Sequence, residues 1–272
     1  MRYLGCFLLI ITTTLSRGQN VLFLDSISLK PIHNVRVYHD KIVHYSDETG
    51  HVTIDNFNGN NAYAIHPGYK SKEFSSKDTV LLKPAHFILP ELEISAKSNP
   101  RILINKRNRH WRLSEIPISN GSIHGVSIDL QQRLVIKEAH IYFKKHLKER
   151  IYCRLVIFNT ADTLSHKPTP LFGTSTFDTI PKDTKKYTLN IAEYPLNNSL
   201  DANYIVAVEF KFHKTLWDVS LPSLEYWETS ALNYYYFAES HTLVRYKPYL
   251  SRQAPEMPLS TAGIEIIATK LD

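Results

Sequence analysis

The sequence predicts an all-β protein made of two β-sandwiches, and three observations carry that expectation. Aromatic residues make up 11% of the chain, led by 16 Tyr and 12 Phe, a bias toward half-buried strands. Short apolar-alternating runs recur between turn clusters, and the first half holds no helix-length stretch of 3.6 periodicity. At 272 residues the chain is long enough for about two domains of roughly 100–150 residues, each with its own core.

The elements follow in order. Residues 1–18 begin with the positive Arg2, continue through an apolar stretch from Leu4 to Leu15, and end with the small residues Ser16 and Gly18 before Gln19. That is the pattern of a secretory signal peptide, too short for a bilayer span of about 20 residues. Removing residues 1–18 takes away Arg2, Arg17 and Cys6 and leaves 30 Lys and Arg against 26 Asp and Glu, or +4. Cys153 is then the single cysteine, so no intramolecular disulfide is expected. No later segment is apolar enough for a transmembrane span.

From Val21 onward the chain reads as strands. Val35 and Val37 alternate with Arg36 and Tyr38, followed by Ile42–Tyr45, His51–Ile54, Ala62–Ile65, Thr79–Leu82 and Leu92–Ile94. Gly50 closes the turn cluster at Ser46–Thr49, where a positive φ is expected. Asn58-Gly59-Asn60 is a hairpin-type signal. Residues 98–118 break the pattern with Asn99-Pro100 and the basic run Asn105–Arg112, the composition of a linker. A second unit then spans 119–272, with strands expected at Leu134–Phe143, Ile151–Phe158, Tyr187–Ile191, Tyr204–Phe212, Tyr234–Phe237 and Ile264–Ala268. Lys144–Arg150 reads as a solvated hairpin turn between two of them.

The run from Asp25 to Asp55, with YAIHPGYKSKEF, DTVLLKP and LPELEISAK after it, resembles the carboxypeptidase regulatory-like domain. Pro31, Val35, Val37, Asp47, Gly50, Gly68, Tyr69, Leu89, Glu91, Ile94 and Ala96 fall at places matching that module. Lys30 stands where the family has glycine, and Asn58-Gly59-Asn60 lengthens a turn. The resemblance covers about residues 20–97, within a first unit of 19–97, and implies a transthyretin-like β-sandwich. It further implies a structural or adhesive module of Gram-negative envelope proteins, without catalytic residues of its own. The strand order of 119–272 is similar to the jelly-roll-like sandwiches that follow such modules.

No motif specifies catalysis. The 13 His are scattered from His33 to His241 without paired metal-ligand spacing, so neither metal nor other cofactor is expected. His39 and His44 could face each other across a turn, with His33 and His51 nearby. The one His-x-x-Glu, at His146 and Glu149, sits in the charged turn and reads as coincidence. A Gly-x-Ser-x-Gly nucleophile elbow is absent. Glu225, Glu228 and Glu239 are the carboxylates that lie among aromatics, as a glycan hydrolase would need. Trp111 in the basic run does not make a nucleic-acid motif at +4, and no nucleic-acid partner is expected.

The densest feature is aromatic: Trp217, Tyr226-Trp227 and Tyr234–Phe237, with His241 and Tyr246. Alternation accounts for Tyr234–Phe237 as core packing. Trp217, Tyr226 and Trp227 remain as candidates for stacking against sugar rings, with Glu225 and Glu228 as hydroxyl-binding groups. Asp followed by Ser or Thr and an apolar residue occurs at Ser26, Thr79, Thr163 and Thr179. That pattern is similar to an O-glycosylation acceptor of Gram-negative envelope proteins, and it is equally ordinary turn chemistry. The expectation is therefore an exported, non-enzymatic envelope protein whose partner is an envelope protein or polysaccharide. Its alternatives are a glycan-active hydrolase and a purely structural assembly subunit.

Overall fold

The computed structural model describes residues 18–40, 42–55, 57, 61–75, 78–85, 101–104, 112–128, 134–159, 170–191, 199–200, 204–212, 222–228, 233–237, 242–245 and 260–270. These residues are all-β. The first seven strands are β1 (Gln19–Asp25), β2 (Arg36–His39), β3 (Ile42–Tyr45), β4 (His51–Ile54), β5 (Ala62–Ile65), β6 (Lys72–Phe74) and β7 (Thr79–Leu82). Next come β8 (Arg101–Ile104), β9 (Arg112–Pro117), β10 (Ile123–Ile128), β11 (Leu134–Tyr142), β12 (Ile151–Asn159), β13 (Phe172–Gly173), β14 (Asp178–Ile180) and β15 (Lys186–Asn190). The last are β16 (Ser199–Leu200), β17 (Tyr204–Lys211), β18 (Ser223–Glu228), β19 (Asn233–Phe237), β20 (Thr242–Arg245), β21 (Ser260–Ala262) and β22 (Ile264–Lys270). Among the described residues no helix is long and apolar enough to cross a membrane.

Four sheets stack as layers, and alternation along each strand explains the stacking. The outer layer β4-β1-β7 and the second layer β3-β2-β5-β6 enclose Val21, Phe23, Val52, Ile54, Val80 and Leu82 against Val35, Val37, Ala64 and Phe74. The second layer turns its other face, with Tyr38, Val43, Tyr63 and Ile65, onto Ile123, Val156, Phe158, Ile205 and Ala207 of the third. That third layer runs β13-β12-β17-β10-β19-β20, with β14 also on β12. Its far face, with Val126, Leu155, Ile157, Val206, Val208 and Phe210, packs on Ile136, Ala139, Ile141, Ile264, Ile266 and Ala268 of the fourth layer, β15-β11-β22-β8.

The two middle layers are thus covered on both faces. Every residue of β2, β5 and β10 is buried, as expected when neither face meets water. In β2, Val37 faces the first core while Arg36 and Tyr38 face the third layer, so a strand that reads as half-polar is buried throughout.

Three expected connections differ from the sequence reading. The stretch 98–118 contributes β8, which pairs with β22, and β9, which pairs with β18. Alternating Ile102 and Ile104 supply the apolar face that Pro100 and the basic run obscure. Lys144–Arg150 is not a hairpin: β11 ends in the fourth layer and β12 starts in the third, so the segment arches across the core and plugs it with buried Leu147. Likewise β4 and β5 belong to different layers, so the chain around Asn58-Gly59-Asn60 joins no hairpin; those three residues, and Leu92–Ile94, lie outside the described residues.

Candidate functional site

Two polar features stand out where the second layer meets its neighbours. The first is an open groove of about 480 Å³ between the edges of β3 and β4, lined by Asn20, His44, Tyr45, Asp47, His51, Val52 and Thr53. The turn joining these strands builds it. Asp47 Oδ1 accepts hydrogen bonds from the amides of Thr49 and His51 and from the Thr49 hydroxyl. The Thr49 hydroxyl and the amides hold the Asp47 carboxyl below its usual value. Gly50 sits at φ +80, and a Cβ there would come within 2.7 Å of the Phe23 carbonyl oxygen, so the turn requires glycine. Burial lowers the His44 pKa, which keeps that imidazole neutral at physiological pH. His39 does not join it: its ring is buried edge-on against Phe57, centroids 5.0 Å apart.

The second feature lies behind the groove. Tyr45 lines the groove and donates its hydroxyl to Glu209 Oε1 at 2.7 Å. Glu209 also receives Arg154 Nε on Oε2 at 2.7 Å and pairs with Arg36 at 3.2 Å. Arg36 further donates to the Gly121 carbonyl, and Arg154 to the Asn34 carbonyl. Lys211 Nζ donates to Asn34 Oδ1 at 3.0 Å, and Asn34 in turn donates to the Ser175 carbonyl. Arg36 and Asn34 come from the second layer, Arg154, Glu209 and Lys211 from the third, so the network ties two sheets together.

Electrostatics follow from that burial. Burial raises the Glu209 carboxyl, yet Arg154 and Arg36, with the Tyr45 hydroxyl, outweigh it and hold the pKa below the usual value. The Tyr45 phenol is pushed well up, first by burial and then by the Glu209 charge. Lys211 is lowered by burial and by Arg154. Glu209 is therefore an ionised, acceptor-only group with its oxygens already engaged, a poor general acid or base. The arrangement locks geometry; it does not transfer protons.

The residues singled out from the sequence fall elsewhere. Glu225, Tyr226, Trp227 and Glu228 all lie on β18, the middle strand of the sheet β21-β18-β9. Tyr226 pairs with Ala262, Trp227 with Thr261 and Glu228 with Ser260, while a register shift on the β9 side falls between Glu225 and Trp227. Their side chains, and Trp217, lie outside the described residues. Thr79 and Thr179 are exposed at strand positions and Ser26 is half-buried, while Thr163 lies outside the described residues. At Ser26 the preceding Asp25 is a turn-former, its Oδ1 accepting the amides of Ile27 and Ser28. His146 and Glu149 are exposed, and His146 Nδ1 donates to the Asp183 carbonyl at 2.6 Å. Among the described residues no three His, Cys, Asp or Glu side chains are grouped to hold a metal ion.

Sequence reasoning missed the Arg36–Glu209–Arg154 network. Its signal was indirect: charged residues at alternate positions of strands whose remaining residues are apolar on both faces.

No family model matches the chain, and no curated protein matches it. Among solved structures it is similar to the clostridial cysteine protease Cwp84 after propeptide cleavage, at 10% identity and a TM-score of 0.42, over 94% of this chain and 71% of that one.

Proposed function

We propose that this chain is an exported, non-enzymatic protein of the Gram-negative envelope. In this reading residues 19–97 form a transthyretin-like spacer or docking sandwich, and residues 119–272 a jelly-roll-like sandwich that binds an envelope protein or polysaccharide. The observation that supports it most is the joint between the second and third layers. A module fused to its neighbour through the faces of β2, β3 and β5, and sealed by Glu209 between Arg36 and Arg154, fixes the position of what it carries. The signal-peptide pattern of residues 1–18 supports export. Trp217, Tyr226 and Trp227, with Glu225 and Glu228, are the proposed ligand contacts, and Ser26, Thr79, Thr163 and Thr179 the proposed glycan acceptors.

The test is a titration of tryptophan fluorescence with envelope polysaccharides, run beside an assay for released sugar. Saturable binding without product is the expected result. Product release abolished by Glu225→Gln or Glu228→Gln would replace this reading with a glycan hydrolase. Intact mass of the native exported protein checks the modification, since an unmodified mass starting at Gln19 keeps export and removes glycosylation.

A further inference from the structure

One end of the first two layers carries an unusual tip. Ile27 is 72% exposed and Leu29 62%, the two most exposed large apolar side chains among the described residues. They sit in the β1–β2 connection, which is tightly built. Asp25 Oδ1 accepts the amides of Ile27 and Ser28, the Leu29 amide donates to the Asp25 carbonyl, and the Asp25 amide donates to the Lys30 carbonyl. Tyr69 donates its hydroxyl to Asp25 Oδ2 at 2.9 Å, and the Ser26 amide donates to the Leu82 carbonyl. Leu29 itself stands at φ +55, a left-handed conformation disfavoured for a leucine. A chain that holds a leucine there and turns it outward presents an apolar group without ordering it anew on contact.

The β7 side of the tip is basic. The Lys70 amide donates to the Lys83 carbonyl and the Ala85 amide to the Gly68 carbonyl, which brings the loop before β6 and the segment after β7 to the same end. Lys30, Lys70 and Lys83, one on each of these three segments, are exposed. Among the described residues of these segments the one acidic side chain is Asp25, whose oxygens are engaged inside the turn. Exposed Asp47 and Glu48 lie at the same end but on the β4 side, in the turn whose Gly50 carbonyl accepts the Phe23 amide and whose Gly50 packs beside Pro31. Exposed Leu81 on β7, beside its register partner Leu24, continues the apolar surface from the tip onto the outer sheet.

We infer that this tip docks onto an anionic lipid surface, with Ile27 and Leu29 entering the headgroup boundary and Lys30, Lys70 and Lys83 pairing with lipid phosphates. Charge complementarity chooses this occupant. Aliphatic side chains at an exposed apex, with lysines along its β7 side, match a surface that is apolar below and negative at its rim when the chain approaches by that side. A second copy of the chain would bring the same lysines against each other.

The experiment is co-sedimentation of the full mature chain with vesicles of phosphatidylcholine alone or with phosphatidylglycerol added. Binding is expected to the anionic vesicles and to weaken at high salt. Ile27→Ser should reduce partitioning by about tenfold, the equivalent of one buried aliphatic side chain. Leu29→Asn should do the same while keeping the turn, because Asn accepts the left-handed conformation; an unchanged or raised melting temperature shows that folding is intact. Failure of the wild type to sediment with anionic vesicles overturns the inference. So does wild-type binding by both variants, or a dimer by light scattering that Leu29→Asn dissolves.

Discussion

Arg154 and Glu209 are register partners on neighbouring strands β12 and β17, joined at 2.7 Å with side chains 1% and 2% exposed. The carboxylate has a second cation, Arg36, from the facing layer. Removing the carboxylate leaves two guanidiniums in the dark of the interface. Glu209→Gln is therefore expected to destabilise the protein by about 3–5 kcal/mol, as for other buried pairs that lose one partner. Urea unfolding measures the loss. A change below about 1 kcal/mol would mean that water reaches the pair and screens it.

Acid should unfold the protein in two stages. Burial drives the pKa values of His66 and His124 down to about 3 from the ordinary 6.5. Between those values the unfolded chain binds protons that the folded chain refuses, so the stability present above pH 6.5 is lost as pH falls toward 3. Lowered in the folded state, Glu209 adds a loss that sets in below its ordinary 4.5. Denaturant midpoints between pH 7 and 4 should fall steadily, and His124→Gln should flatten that slope relative to wild type. An equal slope in the variant refutes the assignment of that titration to His124.

The fold class was legible because alternation survives in the strands. Tyr204–Lys211 shows Val206, Val208 and Phe210 at every second place, and these residues do face the main core. Less legible was the opposite face, where Ile205 and Ala207 meet Tyr38, Val43 and Tyr63. A polar residue such as Glu209 on that face looks solvated until its counter-charge is known, and Arg154 is 55 residues away in sequence. Connections were read least well, since a turn composition such as Lys144–Arg150 is the same whether the chain reverses within a sheet or arches to another. Among candidate site residues, Glu225–Glu228 fell in none of the expected strands, because the Pro- and Ser-containing segment around Leu221-Pro222-Ser223 hides β18, and periodicity alone does not assign their contacts.

Cys153 should be chemically silent in the native protein. It is wholly buried in the main core, and burial, with Asp178 adding to it, pushes its thiol well above the usual range. A thiolate is the reactive form, so labelling is suppressed both by access and by ionisation. Ellman's reagent should find no fast thiol in the folded mature chain and one after denaturation. Rapid stoichiometric labelling without denaturant would show that the core around β12 opens.

Gly125 should be intolerant of even one methyl group. It pairs with Ala207 across β10 and β17, and a Cβ there would lie 2.7 Å from the Ala207 Cβ and 2.8 Å from the Ile205 Cγ2. Gly125→Ala removes a flexible residue from the unfolded chain, a gain of up to about 1 kcal/mol. The overpacking it creates costs about 1–3 kcal/mol in a core that is closed on both faces, so the clash wins. Gly68 offers the contrast: it sits at φ +93 with open space around its missing Cβ. Gly68→Ala should therefore be destabilised by backbone strain alone, on the order of 1–2 kcal/mol. Adding Ala207→Gly should recover part of the loss in Gly125→Ala and none of the loss in Gly68→Ala. Thermal unfolding of the two single and two double variants reads this directly, and equal rescue at both sites would rule out steric contact with Ala207 as the cause.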